Sequence, residues 1–133
     1  MRNGRKGTMM VALGALLVAI FATAAYADTI NCQGGNCFGT DDPDILNEVT
    51  NPPRPLAANE QMYGFRGADE LNAWQYGWSD TDKLYGGRGN DTLNAADNDP
   101  DDLVYGGRGR NDVCIIDAGD ETKGCDRNVQ IVS

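Results

Sequence analysis

Gly86-Gly87-Arg88-Gly89-Asn90-Asp91-Thr92-Leu93 places three glycines, a carboxylate and an aliphatic side chain within eight residues, and the fold is read outward from it. Three further segments align on its first Gly and its Asp. They are Gly39-Thr40-Asp41-Asp42-Pro43-Asp44-Ile45-Leu46, Gly64-Phe65-Arg66-Gly67-Ala68-Asp69-Glu70-Leu71, and Gly106-Gly107-Arg108-Gly109-Arg110-Asn111-Asp112-Val113-Cys114. Their leading glycines lie 25, 22 and 20 residues apart. An apolar residue and a tyrosine precede three of them, as Met62-Tyr63, Leu84-Tyr85 and Val104-Tyr105, and Asn-Ala follows the leucine in two, as Asn72-Ala73 and Asn94-Ala95. Repetition at a period of this size marks a stacked architecture, in which each unit buries its apolar face only against its neighbours.

Each unit reads as a Gly-rich turn followed by a short strand. Glycine at the first, second and fourth positions permits positive φ and close approach of backbones, so that carbonyl oxygens point inward together. Asp42 replaces the fourth-position glycine in the first row, and Asp tolerates a left-handed backbone. Phe65 replaces the second glycine in the next row, and the last row carries one extra residue before Asp112. Two residues beyond each Asp, Leu46, Leu71, Leu93 and Cys114 are expected to face a core, because side chains alternate along a strand. Carbonyls converging beside a carboxylate are the hard oxygen donors that Ca²⁺ takes six to eight at a time, whereas Mg²⁺ keeps its waters and demands an octahedral shell.

The complete third row resembles the hemolysin-type (RTX) calcium-binding nonapeptide, G-G-x-G-x-D-x-U-x. The resemblance spans about residues 37–114, the repeat region, and points to a small bacterial secreted repeat protein rather than a toxin. It implies an all-β chain folded as a short parallel β-roll or β-solenoid, with Ca²⁺ between the turns of successive coils. The expected ligands are Gly39 and Asp44; Gly64, Gly67 and Asp69; Gly86, Gly87, Gly89 and Asp91; and Gly106, Gly107, Gly109 and Asp112. Asp91 ranks first and Asp69 next, because each borders two gaps between coils; Asp97 lies outside the expected sites.

Charge and composition narrow the functions available. The chain of 133 residues has no His, which excludes Ser-His-Asp and Cys-His catalysis, and 20 acids against 11 bases argue against nucleic-acid binding. Arg2, Arg5 and Lys6, an uncharged run from Met9 to Ala22, and Ala25-Tyr26-Ala27 have the layout of a cleaved signal peptide over residues 1–27. Cleavage after Ala27 leaves one secreted domain, 28–133, outside the membrane, with 20 acids, eight bases and a formal charge of −12. Sixteen of those acids are Asp, which suits turns rather than helices. A chain so acidic and poor in leucine stays unfolded unless a counter-charge helps it fold.

Cys32, Cys37, Cys114 and Cys125 behind a signal peptide favour disulfides over zinc, and the local pairing, Cys32–Cys37 with Cys114–Cys125, caps both ends of a short solenoid. Residues 115–133 then form a C-terminal cap in which Val129 and Ile131 alternate as a closing strand. Glu60, Asp82 and Asp102 each precede an apolar-Tyr pair on the opposite edge, and they read as solvated acidic loops that keep sheet edges apart, with a second column of cations as the alternative. Trp74, Tyr76 and Trp78 alternate, which puts the three rings on one face of a strand; they read as covering an end of a narrow core short of aliphatic residues, with stacking on an extracellular glycan or cell surface as the alternative. The acids are accounted for as turn ligands, so a binding or structural module is expected rather than an enzyme.

Overall fold

The computed structural model describes residues 27–49, 59–73, 80–125 and 129–132. The proposed signal peptide, apart from Ala27, lies outside these residues, as do Trp74, Tyr76 and Trp78. In chain order the strands are β1 (Asp28–Cys32), β2 (Gly35–Phe38), β3 (Asp44–Glu48), β4 (Glu60–Tyr63), β5 (Glu70–Asn72), β6 (Lys83–Gly87), β7 (Thr92–Asn94), β8 (Leu103–Gly107), β9 (Val113–Ile116), β10 (Glu121–Lys123) and β11 (Val129–Ile131). Odd-numbered strands form one sheet in the order β1-β3-β5-β7-β9-β11, and even-numbered strands form the other, β10-β8-β6-β4-β2. All pairs are parallel. The fold is a short parallel β-solenoid, and no helix of the described residues is long and apolar enough to cross a membrane.

The repeat sets the register. Leu46, Leu71, Leu93 and Cys114 face one another along the odd sheet, and Met62, Leu84 and Val104 do so along the even sheet. All seven are fully buried. Burying a Leu or Met side chain completely contributes about 1.5–3 kcal/mol, so these two columns are the main apolar stabilisation of a narrow core that contains no aromatic ring among the described residues. The tyrosine after each even-sheet core residue points outward instead. Phe38, Tyr63, Tyr85 and Tyr105 stack down that sheet with centroids 5.3, 4.8 and 5.1 Å apart.

Both expected disulfides are present, Cys32–Cys37 and Cys114–Cys125. Cys114 occupies the core position that leucine fills in the three preceding rows, so the second bridge also completes the apolar column. Closing its loop contributes roughly 3 kcal/mol in the chain-entropy model. The closing strand β11 pairs with β9, although Val129 and Ile131 remain 42% and 68% exposed.

Backbone packing at the turns explains the glycines. A Cβ on Gly89, at φ +146°, would sit 1.4 Å from the Gly67 carbonyl oxygen, so neighbouring turns touch main chain to main chain. Phe65 takes φ +70° where the next two rows have Gly87 and Gly107, at +106° and +103°. Asp42 does not adopt the left-handed conformation allowed for it; among the described residues the non-glycine positions with positive φ are Phe65, Asn98 and Asp101.

These contacts separate two alanine substitutions. Gly35 also has positive φ but has no atom near its would-be Cβ. Gly35→Ala is expected to cost only the left-handed penalty of about 1–2 kcal/mol, and Gly89→Ala about 3 kcal/mol or more, read as urea midpoints. Equal losses would mean that the turns are not packed against one another.

Candidate cation site

Two columns of carboxylates run along the solenoid, one on each edge. On the glycine-rich edge, Asp44, Asp69, Asp91 and Asp112 stand where the turn enters an odd-sheet strand, and all are 3% exposed or less. The Asp44 N–H donates to Asp69 Oδ1 (2.9 Å), the Asp69 N–H to Asp91 Oδ1 (3.0 Å) and the Asp91 N–H to Asp112 Oδ1 (2.9 Å). The extra residue of the last row is therefore absorbed within its turn, and Asp112 keeps register. One oxygen of each carboxylate is fixed by the backbone of the preceding coil.

The second oxygen is left over. Oδ2 of Asp69, Asp91 and Asp112 is buried without a hydrogen-bond partner, whereas Asp44 Oδ2 accepts the Thr40 hydroxyl at 2.9 Å. A Cβ built on Gly64 would meet Asp69 Oδ2 at 2.4 Å and the Gly86 carbonyl oxygen at 2.6 Å. At Gly86 the same point meets Asp91 Oδ2 at 2.5 Å and the Gly106 carbonyl oxygen at 2.6 Å. The space that these glycines leave open is thus bordered twice by a carboxylate oxygen and the carbonyl of the next coil.

The opposite edge repeats the arrangement with other residues. The Glu60 N–H donates to Asp82 Oδ1 (2.7 Å), the Asp82 N–H to Asp102 Oδ1 (2.8 Å) and the Asp102 N–H to Asp120 Oδ1 (3.2 Å). Glu60 Oε2 and Asp102 Oδ2 are buried without a partner. Solvated loops are the wrong description of these acids, since Glu60, Asp82 and Asp102 are at most 2% exposed. They enter the even-sheet strands just as the first column enters the odd ones, which alternation turns inward. Asp97, outside the expected sites, is 3% exposed and lies with Asp80 and Asp82 in a group that brings one carboxylate oxygen from each residue within 4.8 Å of the others. Glu48, Glu60 and Asp82 form a second such group, so Asp82 belongs to both. The acids before each apolar-Tyr pair are the sequence signal for this edge.

Burial dominates the electrostatics. It pushes Glu60 up to about 8, reinforced by Glu48, Asp82 and Asp80, and pushes Asp102 to about 8 against the stabilising Asp82 N–H bond. Asp82 and Asp69 are raised to about 7 by the same desolvation, and Asp91 and Asp97 to about 6. Among the described residues the salt bridges are Arg66–Asp41 and Lys123–Glu121, both exposed and both away from the columns. A buried carboxylate without a cation recovers neutrality by binding a proton, so protons and metal ions compete for these oxygens.

The acids are close enough to bind a metal ion, and the donors are oxygen throughout, since there is no His and all four cysteines are in disulfides. No protein-family model matches the sequence, and comparison with curated proteins and with solved structures gives no significant match.

The pH dependence of the metal-free protein follows with its sign. These acids keep protons in the folded state at pH values where the unfolded chain has released them, so the folded state binds more protons between about pH 4 and pH 8. Stability in chelator should therefore fall as pH rises through that window, against the usual trend for surface carboxylates in ion pairs. Urea midpoints measured in chelator at half-unit steps check this, and a midpoint that climbs from pH 5 to pH 8 would contradict it.

Proposed function

We propose that the protein is a secreted calcium-binding β-roll of the hemolysin-type repeat kind, in which Ca²⁺ takes the place of the missing basic side chains and orders the solenoid. The observation that carries this reading is the set of buried oxygens on Glu60, Asp69, Asp91, Asp102 and Asp112 that have neither a hydrogen-bond partner nor a salt bridge among the described residues. All-oxygen donor sets with several carboxylates and carbonyls suit Ca²⁺, whose shell is large and flexible. On the glycine-rich edge, Asp69 and Asp91, with the carbonyls of Gly86 and Gly106, would hold ions between coils, and Asp44 and Asp112 flank them in the outer rows. On the opposite edge Glu60, Asp82 and Asp97 would do so, with Glu48 and Asp80 beside them.

Disulfides at both ends fit an oxidising compartment, which agrees with export through the N-terminal signal segment. The acids are then engaged as ligands rather than as acid and base catalysts, and the protein acts as a binding or structural module.

Calorimetric titration tests the assignment. Wild-type protein should bind Ca²⁺ with Kd on the order of 10⁻⁴ to 10⁻³ M, the range of extracellular modules. Asp82→Asn removes a ligand common to two acidic groups, and Asp91→Asn removes the acid of the complete motif; each should weaken binding by about tenfold, because affinity follows ligand charge. Exposed Asp41→Asn should change little. Equal losses in all three variants would mean diffuse charge screening and no defined site.

A further inference from the structure

A second surface uses none of these acids. On the outer face of the even sheet, the tyrosine ladder borders a groove of about 500 Å³ lined by Tyr63, Phe65, Tyr85, Arg66, Arg88 and Arg108, among others. Arg66 and Arg88 are paired across adjacent coils. Arg88 N–H donates to the Phe65 carbonyl, and Arg108 N–H to the Gly87 carbonyl, so the three arginines recur once per coil. Only eight bases follow residue 27, and three of them line this one groove. Arg66 has a long exposed contact with Asp41 (3.8 Å), and among the described residues neither Arg88 nor Arg108 pairs with a carboxylate. Lys123 stands at the end of the ladder, its Nζ 5.3 Å from the centre of the Tyr105 ring and paired with Glu121 at 3.0 Å.

Phe65 is the irregular element. The matching positions in the next two rows are glycine, as a positive φ favours, yet this row keeps a bulky residue there at +70° and leaves it 47% exposed. That ring lies parallel to Phe38 and Tyr63, at 6.1 and 6.4 Å, and widens the apolar strip beside the arginines. An unfavourable backbone that presents an apolar ring at the surface points to use rather than to folding.

The spacing selects the ligand class. Stacked tyrosines set the step between coils at 4.8 to 5.1 Å, so one arginine side chain leaves the backbone per step of about that length along the solenoid axis. A 1,4-linked pyranose chain advances by a similar distance per sugar and can carry one carboxylate on each. Nucleic-acid strands match less well, with a charge every 3.4 Å along a stacked strand and a need for open ring faces. Here Tyr85 is covered on both sides by parallel rings, at 5° and 7°. We propose that this face binds a linear acidic glycan of the polyuronate type, its carboxylates on Arg66, Arg88 and Arg108 and its sugar ring edges against Phe65 and the tyrosine ladder.

The test uses fluorescence anisotropy of a labelled 1,4-linked oligogalacturonate with calcium-loaded protein, beside its methyl-esterified form and an oligothymidylate of equal charge. The acidic oligomer should bind in a salt-dependent way, the esterified form and the oligothymidylate much less. Affinity should fall about tenfold in Arg88→Gln/Arg108→Gln and in Phe65→Gly. Phe65→Gly should melt within about 3 °C of wild type, because glycine already fills the matching turns, so lost binding there is not lost fold. No binding by wild-type protein, undiminished binding by these variants, or equal binding of the esterified oligomer or the oligothymidylate would overturn the proposal. So would a dimer, seen by sedimentation and lost in the same variants, that binds no glycan.

Discussion

Burying columns of carboxylates that form no salt bridge among the described residues is the constraint on which the rest of the structure depends. Nine acids are buried among the described residues, most in columns whose spacing is imposed by the parallel sheets, and each added coil brings another charge into line with the last. Main-chain N–H groups take up one oxygen of most of these acids, which fixes side-chain direction but leaves the charge in place. A parallel solenoid cannot dilute this repulsion by turning a strand around. It has to be offset by protons or by bound cations, and the aliphatic core is too narrow to outweigh it alone.

The same in-register geometry explains features that have nothing to do with charge. Stacking identical positions yields the leucine column inside and the tyrosine ladder outside, and it brings Asn72 Nδ2 to 2.9 Å from Asn47 Oδ1 on the opposite face. Stacking also forbids Cβ atoms where turns meet, as at Gly89. The costs gather at the ends, where β1, β2, β10 and β11 have no further strand to pair with. A disulfide stands at each end, where a partly formed coil would otherwise fray.

Much of this is legible in the sequence because the repeat is itself a register. Aligning Asp44, Asp69, Asp91 and Asp112 places Leu46, Leu71, Leu93 and Cys114 opposite one another, and the local cysteine pairs follow from their spacing and place. The opposite edge is harder to read. Its acids sit in connections of unequal length without a glycine motif, so Glu60, Asp82 and Asp102 are marked only by the apolar-Tyr pair that follows each, and nothing local distinguishes an inward Asp97 from a solvated one. Phe65 shows a different gap: an aromatic residue in a glycine position reads as a defect of the repeat until its φ and exposed ring are known. The arginine column is visible as Gly-x-Arg or Gly-Gly-Arg in three rows, but its adjacency to the tyrosines emerges only when the turns stack.

The account rests on cations holding the acid columns together, and the melting temperature of the protein against free calcium at pH 7.5 tests it most directly. Cations that bind the folded state alone stabilise it by RT ln(1 + [L]/Kd), so the melting temperature should rise steadily with the logarithm of calcium concentration once the millimolar range is reached. Magnesium at the same concentrations should shift it much less. A melting temperature identical in chelator, in calcium and in magnesium would contradict the account.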